Sequence, residues 1–89
     1  MKKARELEKI LKGAANHRRI DVLRLLEREP ELSMADIAAK LSTNGKTISE
    51  HILRLARAGL VMKRYAGREV RHALTARARS LLTFLRMLE

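Results

Sequence analysis

A chain of 89 residues is sized for one domain, near the lower limit for folding without staples, and the lack of cysteine excludes a disulfide framework or a thiolate metal site. Two aromatics, Tyr65 and Phe84, are too few for a platform that stacks unpaired bases, and no run approaches the roughly 18 apolar residues of a membrane span. The formal charge of +10, from 20 basic and 10 acidic residues, points to a polyanionic partner held by salt-sensitive contacts.

The opening Met1-Lys2-Lys3-Ala4-Arg5-Glu6 enters a mixed-charge helix instead of the apolar core of a signal peptide, so a reducing cytoplasm is the expected location. That first helix spans about residues 3–14, with Leu7, Ile10, Leu11 and Ala14 on one stripe and Gly13 weakening its end. Asn16 is placed to cap a second helix near 17–29, which buries Ile20, Val22, Leu23 and Leu26 and which Pro30 stops. Ser33 caps a third helix, with Asp36 in the capping-box position. A tight polar turn leads to a fourth helix, where Ile48, Ile52 and Leu55 follow the i, i+4, i+7 spacing of a buried face. Its opposite side presents Lys46, Thr47, Glu50, Arg54 and Arg57. Gly59 follows it at the position where a left-handed backbone ends a helix. Residues 60–65 and 70–74 read as two short strands around Ala66-Gly67-Arg68-Glu69. Thr75 caps a last helix whose Ala78, Leu81, Leu82, Leu85 and Leu88 form a broad apolar face. The fold class is mainly α with a small β-hairpin, a winged helix-turn-helix in the order α-α-α-α-β-β-α.

Charge is unevenly spread. Residues 1–45 hold 10 basic and 7 acidic side chains, whereas residues 46–89 hold 10 and 3. The surplus sits on the fourth helix, the hairpin and the last helix, which suits a nucleic-acid surface better than a general solubility charge. In a helix-turn-helix the amino-terminal half of the second helix enters the major groove, so Asn44, Gly45, Lys46, Thr47, Ser49, Glu50 and Arg54 are the candidate contacts. Gly45 allows close backbone approach, and N–H groups at a helix start favour a phosphate. For Arg54 and Arg57, phosphate contact and plain solvation both stand. Glu50 could accept from the amino group of cytosine, but a pair with Arg54 one turn on is the favoured expectation. In the hairpin, Lys63, Arg64, Arg68 and Arg71 are candidate contacts; Arg68, beside Gly67, is best placed for a minor groove or flanking phosphate, and its bland alternative is a solubility residue. Tyr65 is expected to pack against the base of the hairpin.

Leu7, Ile10, Leu11, Leu81, Phe84, Leu85 and Leu88 give the terminal helices more apolar surface than so small a core needs. Burying it against a second copy is worth about 25 cal/mol per Å2 before association costs, so residues 1–89 are expected to form one domain that dimerises through helices at about 3–14 and 75–89. The alternatives are that both stripes serve only the monomer core or, less favoured because the stripes have a ready partner, that they adsorb to a membrane surface. His17, His51 and His72 lie on three elements without ligand spacing, and Ser49, Glu50 and His51 point in different directions, so neither a metal site nor an enzyme is expected. No cofactor is expected.

The element order, with Ala15-Asn16-His17-Arg18-Arg19-Ile20, Leu41 through Ile52, and Leu55-Ala56-Arg57-Ala58-Gly59-Leu60-Val61, resembles the winged helix-turn-helix repressors of the ArsR family from about Leu11 to Leu85. The resemblance implies a homodimeric repressor of double-stranded DNA targets, with Gly67-Arg68 at the turn of the wing. His17 replaces the usual proline, and Thr43 replaces an apolar residue that pins the turn, implying a slightly looser turn. Family metal sensors carry Glu-Leu-Cys-x-Cys-Asp where this chain has Glu31-Leu32-Ser33-Met34-Ala35-Asp36, and Ser33 and Ala35 supply no thiolate. The family's second site, of His and acidic pairs on the last helices, finds only Glu89 here. A DNA-binding regulator that senses no metal is the resulting expectation; a protein-interaction module or a structured-RNA binder using the same basic surface are the alternatives.

Overall fold

A computed structural model describes residues 2–89; Met1, counted in the expected 1–89 domain, lies outside the described residues. The helices are α1 (Ala4–Ala14), α2 (His17–Arg28), α3 (Met34–Lys40), α4 (Gly45–Arg57) and α5 (Ala76–Met87). Three strands, β1 (Leu32–Ser33), β2 (Val61–Ala66) and β3 (Glu69–Leu74), form an antiparallel sheet in the order β1-β3-β2.

Local chemistry sets most boundaries. Asn16 Oδ1 accepts from the amides of Arg18 and Arg19 at 2.8 and 3.3 Å, satisfying two donors that a helix start leaves without partners. Ser33 and Thr75 do the same for Asp36 and Ala78, at 3.1 and 3.2 Å. At the end of α4, Gly59 adopts φ +74°, its amide donates to Ala56, and the Leu60 amide donates to Leu55. This is a Schellman closure, sealed by Leu55 and Leu60, both fully buried. Thr75 Oγ1 also donates to the Gly59 carbonyl at 2.7 Å, fixing the start of α5 to the end of α4.

The core is where the apolar stripes meet. Helix α2 contributes Val22, Leu23, Leu25 and Leu26, and it touches α4, α5 and β3. Ile48, Ile52 and Leu55 of α4 are buried, as their spacing implies, together with Ile37, Leu60 and Leu82. Gly13 allows α1 to cross α4 closely, because a Cβ there would collide with the Ala58 methyl.

Two expectations need correction. The order α-α-α-α-β-β-α omits β1, whose Leu32 and Ser33 pair with His72 and Arg71 of β3. Glu31, at φ +67°, turns the chain into that pairing, and its amide donates to the His72 carbonyl at 3.0 Å. His72 is buried, with Nδ1 at 2.9 Å from the Leu32 carbonyl, which can only accept. The wing turn is also tighter than residues 66–69. Ala66 and Glu69 are paired, leaving Gly67-Arg68 as a two-residue turn with its positive φ (+64°) on glycine, as a II′ hairpin requires.

Candidate nucleic-acid interface

The start of α4 is an exposed, capped helix terminus. Asn44 is its N-cap, and its Oδ1 accepts from the Thr47 amide at 2.8 Å. That commits one side of the Asn44 amide group to the fold and leaves its NH2 free to donate outward. A Cβ at Gly45 would meet nothing within 4 Å, so the fold does not require glycine there. Lys46, Ser49, Glu50 and Arg54 are exposed and Thr47 is half-buried. The expected Glu50–Arg54 ion pair is not formed among the described residues, so the Glu50 carboxylate stands in solvent. The α3–α4 turn is held by the Thr43 amide donating to the Ala38 carbonyl at 2.9 Å and by Thr43 Oγ1 donating to that of Leu41 at 3.1 Å. The amide bond would form with any residue at this position, and the hydroxyl adds one tie within the turn.

Arg19 orients α4 against the first two helices. Its Nη1 donates to the Lys12 and Gly13 carbonyls at 3.1 and 2.9 Å, and its Nε donates to His51 Nδ1 at 3.3 Å. The first two bonds satisfy carbonyls orphaned at the end of α1. The third reaches the flank of α4. Burial first, then the charge of Arg54, lowers the Arg19 pKa from its usual value. His51 is pushed below the ordinary imidazole value chiefly by burial, then by Arg19; Glu50 opposes this, and His17 and Arg18 add to it. The Arg19–His51 bond was not legible in the sequence, since a contact across 32 residues leaves no local spacing to read.

The wing separates its cations by face. Register pairs Lys63 with His72 and Tyr65 with Val70 on one side of the ribbon, and Arg64 with Arg71 on the other. Arg64 Nε lies 3.3 Å from a Glu31 carboxylate oxygen and Arg71 Nη2 lies 3.0 Å from one of Glu69. Lys63 and Arg68 have no carboxylate partner among the described residues. Tyr65 is 77% exposed, so the expectation that it packs against the wing base is wrong: it lies beyond the last core residue of β2, with only half-buried Val70 opposite.

On the terminal helices, Ile10, Leu81 and Leu85 pack partly against the monomer core, while Leu7, Leu11, Phe84 and Leu88 are 45–65% exposed. Between α1, the carboxy-terminal half of α4 and the start of α5 lies an open cleft of about 580 Å3. Among the described residues no cluster of three or more His, Cys, Asp or Glu could hold a metal ion, and no helix is long and apolar enough to cross a membrane.

This architecture matches a family model. The model for a winged helix DNA-binding domain aligns with residues 16–78, from the cap of α2 into the first turn of α5. The chain belongs to the winged helix DNA-binding domain family. Among solved structures the domain is similar to the transcriptional regulator HlyU from Vibrio vulnificus CMCP6, with 30% identity over 96% of this chain and 88% of that one and a TM-score of 0.78. HlyU from Vibrio cholerae N16961 is 29% identical over 99% of this chain and 97% of its own, at a TM-score of 0.84. The homodimeric winged helix-turn-helix DNA-binding domain Mb0332 from Mycobacterium bovis, a possible ArsR-family transcriptional regulator, is 25% identical over 93% of this chain and 77% of that one, at a TM-score of 0.85. None of the curated proteins compared matches the chain. The Vibrio vulnificus relative is a transcriptional regulator and the Mycobacterium bovis one a possible ArsR-family regulator, in agreement with the resemblance read from Leu41–Ile52 and Leu55–Val61.

Proposed function

We propose that this winged helix domain is a cytoplasmic, homodimeric, sequence-specific repressor of double-stranded DNA targets that senses no metal. The observation that carries the reading is the free start of α4. Lys46 and Ser49 are exposed and Gly45 is unobstructed, on a helix locked by Asn44 and by the Schellman closure. Lys46, Thr47, Ser49 and Glu50 are the base-reading or phosphate-contacting set in this reading, with Lys63 and Arg68 as the available wing contacts.

Support for dimerisation comes from the exposed apolar residues of α1 and α5 and from the homodimeric relative. Two recognition helices would then read half-sites about 34–36 Å, one helical turn, apart. The repressor assignment follows the likeness to ArsR-type regulators. The absence of metal sensing is argued from Ser33 and Ala35 at the thiol positions and from an α5 with neither histidine nor acid. Titration against duplex DNA, duplex RNA and an acidic protein in parallel tests the reading. Duplex DNA is expected to bind with a salt slope of several units and a sequence-dependent term above it. Preference for duplex RNA or for the acidic protein would overturn it.

A further inference from the structure

The cleft beside α4 has a charge pattern that the fold does not use. Lys9 and Lys12 of α1, Arg54 and Arg57 of α4, and Arg77 of α5 line it, with Arg19 and Lys2 completing a set of seven cations. Its one acid, Glu6, is paired with Lys2 at 3.8 Å. Lys12 pairs with Glu8 at 3.5 Å, whereas Lys9, Arg54 and Arg57 have no carboxylate partner among the described residues. Arg77 Nη1 donates to the Ala58 carbonyl at 2.9 Å, a neutral partner that leaves its charge uncompensated.

Like charges gathered from four helices with too few acids to match them repel one another, and that repulsion falls when an anion enters. Burial is the larger cause of the lowered Arg19 pKa, and the charge of Arg54 adds to it. Location adds direction. At 100° per residue, Lys46, Glu50 and Arg57 fall within about 40° on one face of α4, so the exposed stripe that begins at the recognition end runs on to the cleft. We propose that the cleft is a phosphate-binding track in which the DNA backbone flanking the recognised groove lies, with Lys9 and Arg57 as its principal contacts and Arg54 and Lys12 beside them. This rests on the duplex-DNA reading; it takes Arg54 and Arg57, open between phosphate and solvent in the sequence, as phosphate contacts, and adds Lys9 and Lys12 of α1, which motif reasoning does not supply. The floor, of Ile10, Gly13 and Ala58, offers no aromatic face for a base, so the track takes phosphate without sequence preference.

The experiment is the salt dependence of duplex affinity for the parent chain and for Lys9→Ala, Arg57→Ala and Arg28→Ala, on a selected operator and an unrelated duplex. Arg28 is an exposed cation on α2 outside the cleft, so its loss controls for net charge. Lys9→Ala and Arg57→Ala are each expected to reduce the salt slope by about 1 and to weaken both duplexes by the same factor, with Arg28→Ala leaving the slope as in the parent. Unchanged slopes in the two cleft variants, or an equal fall in Arg28→Ala, would overturn the track. A parallel titration with tripolyphosphate covers the other source of phosphate. Tripolyphosphate binding lost in Lys9→Ala, with duplex slopes unchanged, would make the cleft a small-anion site and overturn the proposal. Failure of the parent chain itself to bind duplex DNA would instead sink the underlying DNA reading.

Discussion

Gly45 is a residue whose identity the fold does not explain. It has ordinary helical surroundings and open space where a side chain would sit. Gly45→Ala is therefore expected to raise thermal stability by up to about 1 kcal/mol while weakening duplex binding, since a methyl would hold the backbone off a phosphate. Thermal unfolding and duplex titration of the same variant check both signs; equal or improved affinity would remove Gly45 from the contact set. Asn44 has the opposite character. Asn44→Ala leaves the Thr47 amide without its partner at the helix start, and is expected to lower stability by about 1 kcal/mol, seen as a melting temperature lower by roughly 4–8 °C. His51 gives the domain a pH dependence. Its pKa is depressed in the folded chain, so between about pH 6.5 and the folded value the unfolded chain binds the proton more readily. The stability held at neutral pH is then lost as pH falls through that window. Melting curves from pH 7 down to 5 are expected to fall less steeply for His51→Gln than for the parent chain.

At the scale of elements, the α1–α4 crossing depends on Gly13. In an unobstructed helix Gly→Ala gains about 0.5–1 kcal/mol; here the new methyl meets Ala58 and must push the helices apart, so a loss of about 1–3 kcal/mol is expected. Adding Ala58→Gly should return part of it, and denaturant midpoints of the two single variants and the double variant measure the coupling. The same crossing shows where the sequence was readable. Asn16, Ser33, Thr75 and Gly59 act on amides or carbonyls within a few residues of themselves, and each was legible from its position. So was the Ile48, Ile52, Leu55 stripe. Strand β1 was not, because its two residues become a strand only by pairing with Ser33↔Arg71 and Leu32↔His72, some 40 positions away. Gly13 read as a weak helix end because the reason for glycine lies on another helix. Arg64 read as a free wing cation because its carboxylate, from Glu31, is brought to it by the sheet, whereas Glu69 and Arg71 pair two residues apart on one face of one strand, a local spacing that the sequence did hold. The exposed start of α4 was legible as a candidate surface; its neighbouring cleft, assembled from four helices, was not.

At the scale of the whole molecule, two surfaces remain for partners: the exposed Leu7, Leu11, Phe84 and Leu88, and the basic surface of α4 and the wing. If the first joins two copies, Phe84→Glu should shift sedimentation toward the monomer and cut affinity for a two-half-site duplex far more than for a single half-site. Intact dimerisation in that variant would move the interface elsewhere. The second surface carries the central claim, that the start of α4 reads bases while the wing tip holds the backbone. The most direct measurement is titration of the parent chain, Lys46→Ala and Arg68→Ala against a duplex selected from a random pool and against an unrelated duplex. Lys46→Ala is expected to lose roughly 1–3 kcal/mol on the selected duplex with little change on the other, and Arg68→Ala to weaken both equally. Binding of the selected duplex by both variants with the parent's affinity would contradict the account.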